Sequence, residues 1–164
     1  MATVSAPAVD TAKVENRRRL HFDKVQDIMA DIDALAARGY RQLGNWTLGQ
    51  MSKHLATGMT MPLDGAPIKT PWVVRFIARN VFKAKYLRHG PKPGFKLNPG
   101  AAKVLVPDPI SDADGIAELR AALARFESEP KIHPHPFFGG LTRDEWNTFT
   151  LRHAEMHLSF LVPN

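Results

Sequence analysis

His153 and His157 stand four residues apart in a segment where Trp146, Phe149, Thr150, Met156 and Phe160 also recur every three or four positions. On a helix, side chains four apart share one face, with β-carbons about 6 Å apart. Two imidazoles at that spacing can reach one metal ion. Both fall in the stripe that should face the core, where unpartnered imidazoles would cost roughly 1–3 kcal/mol each. A shared divalent cation satisfies both; the alternative is that one caps a carbonyl and the other reaches solvent. His54 lies beside Leu55 on the apolar side of another expected helix. If those two helices are neighbours, His54, His153 and His157 can converge. Three neutral imidazoles with one position left open is the coordination of catalytic zinc, whereas structural sites close all four positions and usually use Cys. The chain has no Cys, which also removes disulfides and cysteine nucleophiles.

Other residues near these positions carry weaker signals. Gln50 precedes His54 by one turn and could orient a ligand or substrate. Arg152 adjoins the pair and could meet an anionic cofactor, although a surface role is the simpler reading. Glu155 is two residues from each histidine and so points to another face; His-Ala-Glu-Met-His is not the His-Glu-x-x-His of zinc proteases. Trp46 and Trp146 read as core rather than pocket wall. His133 and His135 alternate with prolines and read as loop rather than a second metal tract, and Gly139-Gly140 could let that loop lie over the site. His21 and His89 read as ordinary surface positions.

The elements that must position these residues are helical. Val25, Ile28, Met29, Ile32 and Leu35 predict a helix over 22–38, stopped by Gly39. Asn45 or Thr47 caps a second helix that reaches about Thr60, with Pro62 and Gly65 ending it. A third, irregular helix is expected over 71–89. Residues 90–109 hold five prolines and should contain little helix. Ser111 caps a further helix whose Ile116, Leu119, Leu123 and Phe126 face one way. Thr142 and Glu145 form a capping box for the last, which is expected to run to Leu161. No strand-like alternation competes. The reading is an all-α four-helix bundle over 19–164, preceded by a flexible arm over 1–18.

Composition fits one packed domain of 164 residues, 44% hydrophobic and 23% charged. No apolar run has the roughly 20 residues of a membrane span, and no secretory leader is evident, so the cytoplasm is the expected location. The net charge of +6 is uneven. Between Gly65 and Pro107 there are nine Lys and Arg residues and no Asp or Glu; the rest of the chain balances at −3. That segment lacks a nucleic-acid motif and a clean membrane-facing stripe, so a solvated basic face is expected, with neither nucleic acid nor membrane as partner.

Two stretches resemble the DinB-like superfamily. The first is Asn45-Trp46-Thr47-Leu48-Gly49-Gln50-Met51-Ser52-Lys53-His54-Leu55-Ala56. The second is His135-Pro136-Phe137-Phe138-Gly139-Gly140-Leu141-Thr142-Arg143-Asp144-Glu145-Trp146, running into Arg152-His153-Ala154-Glu155-Met156-His157-Leu158-Ser159-Phe160. More narrowly, they resemble a subfamily of unknown function, over about Leu20 to Pro163. The resemblance implies a four-helix bundle whose helix-two histidine is His54 and whose last-helix pair is His153 and His157. It also implies zinc, nickel or another divalent ion, and frequent homodimers. Several relatives are transferases or isomerases that use low-molecular-weight thiols of the bacillithiol or mycothiol type. The expected function is therefore a metal-dependent enzyme acting on a small molecule, foremost a thiol-dependent transferase. A metal-dependent hydrolase and a non-catalytic metal-binding bundle are the alternatives.

Overall fold

The computed structural model describes residues 8–164. Its long elements follow from apolar spacing and local capping. Helix α1 (Val25–Arg38) buries Val25, Ile28, Met29, Ile32 and Leu35 and stops at Gly39, which takes the left-handed φ of 77°. It starts three residues later than the spacing suggests, because Asp27 Oδ2 accepts the backbone N–H groups of Asp23 and Lys24 and fixes the first turn there. Helix α2 (Leu48–Asp64) begins with a reciprocal cap: Thr47 Oγ1 accepts from Gln50 N and Gln50 Oε1 accepts from Thr47 N. It runs one turn beyond Thr60 and contains Pro62, since Pro62 and Leu63 are buried and anchor that last turn.

The third helical stretch, expected to be irregular, is broken. Helix α3 (Trp72–Ile77) passes through a π-helical turn (Ala78–Phe82) into helix α4 (Lys83–His89), and none of the three buries a residue. The proline-rich connection departs from expectation: Asn98 caps a short helix, α5 (Pro99–Leu105), with Pro99 at its start, where a missing N–H costs nothing. Helix α6 (Asp112–Ser128) starts at Ser111, and helix α7 (Arg143–Leu158) starts at the Thr142/Glu145 capping box.

Helix α7 ends at Leu158 rather than Leu161. Residues Leu161–Pro163 form strand β2, antiparallel to β1 (Tyr40–Gln42), with Arg41 opposite Val162. The turn at 159–160 lets Leu161 become fully buried, and three-residue strands are too short to betray themselves by alternation.

The structure is thus mainly helical, with one small sheet. Helix α2 lies along α6 and also meets α7, while α1 packs on α6, α7 and β2. Trp146, Phe126, Ile28, Ile32, Leu48, Leu55 and Leu119 form the fully buried centre. The α2–α6 approach is set by two glycines. A β-carbon on Gly49 would stand 2.5 Å from Ser111 O, and one on Gly115 would collide with the Gly49 backbone.

The first part of the expected arm, residues 1–7, lies outside the described residues. From Val9 onward the chain is held. Val9 exchanges two hydrogen bonds with the Asn45 side chain. Arg17 donates to Ser159 Oγ, and Arg18 makes a two-pronged pair with Asp31 at 2.7 Å for each prong. Arg17 and Arg18 therefore tie the chain to the body, and Asn45 serves this tie rather than capping α2.

Candidate metal centre

Helix α7 presents His153 and His157 one turn apart, and α2 brings His54 against them. The Nε2 atoms of His54 and His153 are 3.2 Å apart, and those of His157 and His153 are 3.0 Å apart. One ligand atom from each of the three lies within 4.8 Å of the others. Four ligands at 2.0–2.1 Å around a tetrahedral zinc ion would be about 3.3–3.4 Å from one another. Two of the three separations are close to that spacing, so the three imidazoles could hold one divalent ion. Gly58, one turn after His54, lies beside the His153 ring; a β-carbon there would stand 3.6 Å from His153 Nδ1, an ordinary contact.

The protons favour the same occupant. His54 Nδ1–H donates to Leu105 O at 2.7 Å, at the end of α5. A neutral His54 therefore turns a bare lone pair at Nε2 toward the other two rings, as an outer carbonyl does for metal-bound histidines. His153 Nε2 has one in-plane position, holding either a hydrogen or a lone pair, yet it faces two close nitrogens. As a donor it serves only one of them squarely. As an acceptor it takes a proton from His157 and meets the His54 lone pair head-on. A cation at the common point removes this conflict.

Protonating the rings is the costly alternative. Burial pushes the His153 and His157 pKa values well below the ordinary imidazole range, and the neighbouring histidines push them further. His54 is also lowered by burial, against the opposing effect of its Leu105 hydrogen bond. Neutral imidazole is the form that binds metal.

Around the ligands the structure corrects several sequence readings. Trp46 packs half-buried against the core, as read, and its ring also stacks on His157 at 5.5 Å and 13° and leans on His54 at 4.9 Å. Trp146 is core, as read. Gln50 is occupied in the α2 cap, and its Nε2 donates to Pro107 O at 3.4 Å. Arg152 is not on the surface. It donates to His21 Nδ1 and Phe22 O and pairs with Glu155 at 3.0 Å, both side chains being 12% exposed. Glu155 Oε1 also accepts from Phe22 N. These two residues hold the chain entering α1 against α7, and their charges face that joint rather than the three imidazoles.

The 135–140 loop sits beside the centre. His135 Nδ1 accepts from both Phe137 N and Phe138 N, and burial pushes its pKa down to about 3. Its ring stacks on Phe138 at 4.8 Å and meets Phe149 edge-on at 4.7 Å; Phe149 in turn lies 5.7 Å from His153. Neither His135 nor His133 joins the metal-binding group. Sequence reasoning missed Leu105, because a carbonyl carries no residue signature. It also missed that Trp46, read as core, lies against the His54 and His157 rings.

Comparison with known proteins adds a family but no activity. No curated protein and no solved structure is significantly similar to this chain. The model of one family does match it over residues 14–164, and the chain belongs to that family, described as "Protein of unknown function (DUF1569)".

Proposed function

We propose that the chain is a divalent-metal-dependent enzyme that transfers a low-molecular-weight thiol to a small electrophile. In the same reading the four long helices α1, α2, α6 and α7 form a four-helix bundle of the DinB-like kind. The observation that carries it is the convergence of the His54, His153 and His157 Nε2 atoms from two helices. A bound zinc or nickel ion would supply Lewis acidity, lowering the pKa of a coordinated thiol so that thiolate is present at neutral pH.

The chain's own residues supply position and exclusion. Leu105 O fixes the His54 tautomer, burial keeps all three rings neutral, and Trp46 covers one side of His54 and His157. In the transfer, a sulfur–carbon bond forms as the bond to the leaving group breaks; the thiol proton passes to solvent. Thiol transfer is preferred to hydrolysis on the resemblance of the two histidine-bearing stretches to the DinB-like superfamily, since a bound metal would acidify water as well as a thiol; no unengaged carboxylate beside the ligands, among the described residues, speaks for hydrolysis. Glu155, the carboxylate closest to the ligands in the sequence, is engaged by Arg152 and Phe22 N.

The test starts with elemental analysis of protein purified without an affinity tag, followed by a screen of thiol cofactors against small electrophiles. One divalent ion per chain is expected. His157→Ala should lose the ion and the turnover while keeping the helical circular-dichroism spectrum. Unchanged metal content in that variant would refute the three-histidine site. A metal-loaded chain without thiol or ester turnover would leave a metal-binding module.

A further inference from the structure

Among the described residues, nine of the ten exposed large hydrophobics fall between Trp72 and Val106. Seven of them are in one helical stretch: Trp72, Val73, Val74, Phe76, Ile77, Val81 and Phe82, from 45% to 77% exposed. Every residue of α3 is exposed, so this helix stands off the body instead of packing on it. A cleft of about 360 Å³, lined by Trp72, Arg75, Phe76 and Arg79 of this stretch and by Phe138 and Gly139, separates it from the 135–140 loop. Exposed apolar patches of this kind mark interaction surfaces.

The charge pattern identifies the partner. Val73, Ile77 and Val81 recur every four residues along one side, with Val74 and Phe82 beside them. Arg75, Arg79 and Lys83 form a parallel row. Lys83 pairs with Glu145 at 2.7 Å, while Arg75 and Arg79 of the same row stay exposed beside the valine–isoleucine rows. Arg75, Arg79, Lys85, Arg88, Lys92 and Lys96 are exposed and make no ion pair among the described residues. No acid lies within the segment to offset them. A second copy docking face to face would set these cations against themselves. An anionic lipid surface complements them, takes up the apolar side, and suits Trp72 at the boundary.

We propose that the stretch from Trp72 to Phe82 is an interfacial anchor that lies in the surface of an anionic membrane, with Val73, Ile77, Val81 and Phe82 inserted and the flanking Lys and Arg on the headgroups. No helix among the described residues is long and apolar enough to cross a membrane, so the contact is one of lying on the surface. The sequence expectation of a solvated basic face explains the cations but leaves seven exposed apolar side chains without a partner.

The test is co-sedimentation of the full chain with vesicles of phosphatidylglycerol and phosphatidylcholine in equal parts, against phosphatidylcholine alone. Binding to the anionic vesicles only, weakened by salt, is expected. Arg75→Gln with Arg79→Gln should lower the partition coefficient about thirtyfold. Ile77→Asp with Val81→Asp should abolish binding with an unchanged circular-dichroism spectrum, since both side chains are exposed. Absence of wild-type binding at low salt would overturn the proposal, as would undiminished binding of the aspartate variant. A wild-type dimer that this variant converts to monomer, without vesicle binding, would assign the surface to a second copy instead. Duplex-DNA binding without vesicle binding would assign the cations to nucleic acid.

Discussion

Replacing His135 by Asn removes a titrating group while keeping an acceptor for Phe137 N and Phe138 N. His135 has a folded pKa pushed down to about 3 by burial, against about 6.5 for a free imidazole. The folded state therefore binds fewer protons than the unfolded chain. The associated stability is present above the unfolded value and is lost as pH falls from 6.5 toward 3. Between pH 7 and pH 4.5 the linkage relation gives a loss of about 2.5 kcal/mol from this group alone. Other buried histidines lose stability in the same direction, so the difference between the wild type and the His135→Asn variant isolates the His135 contribution. Urea unfolding of chelator-treated protein at both pH values is the assay. With a denaturant slope of about 2 kcal/mol per molar, the wild-type midpoint should fall by about 1 M more than that of His135→Asn. Packing lost in the variant appears at both pH values and cancels. Parallel midpoint shifts in the two proteins would refute a neutral, desolvated His135 in the folded state.

Three further outcomes follow from packing. Gly115→Ala should destabilise by about 3 kcal/mol, because the obstructing atoms belong to the Gly49 backbone and cannot swing aside; Gly140→Ala, with nothing within 4 Å of the added carbon, should be neutral in the same thermal melts. Trp46→Ala should weaken metal binding about tenfold in competition with a chromophoric chelator, since its ring holds two ligand imidazoles in place; unchanged affinity would reduce the ring to packing. Arg152→Ala should cost about 3 kcal/mol by stranding Glu155 at 12% exposure, while metal content stays at the wild-type value; a loss within about 0.5 kcal/mol would show that water or another cation replaces it.

The legible parts of this molecule are the ones encoded by short-range spacing. The four-residue interval of His153 and His157 puts both rings on one face of α7 whatever the rest of the chain does. Thr142 and Glu145 announce their helix because the cap spans only three residues. Helix α2 was readable through Leu48, Met51, Leu55 and Met59, and with it the inward side for His54. What escaped depends on distant partners. Arg152 looks like a surface residue until Phe22 and Glu155 are brought to it, the former across about 130 residues of chain. The β1–β2 pairing joins residues some 120 positions apart in strands too short to show a period. Helix α5 hid in a proline-rich stretch because Pro99 occupies the first turn, the one place in a helix where proline is harmless. The apolar residues of α3 face outward, since periodicity reports a surface to be covered and says nothing of what covers it.

The hydrogen bond from His54 to Leu105 makes the long connection between α4 and α6 a tuning arm for the candidate metal centre. Linkage is reciprocal: whatever ion affinity the carbonyl confers by fixing the imidazole tautomer, ion binding returns as stability of the α5 turn. Displacing α5 would free the ring to rotate or exchange tautomers and would loosen the grip on the cation. Chelation would in turn relax the segment around Leu105, and amide-hydrogen exchange there would report the state of a site on the other side of the hydrogen bond.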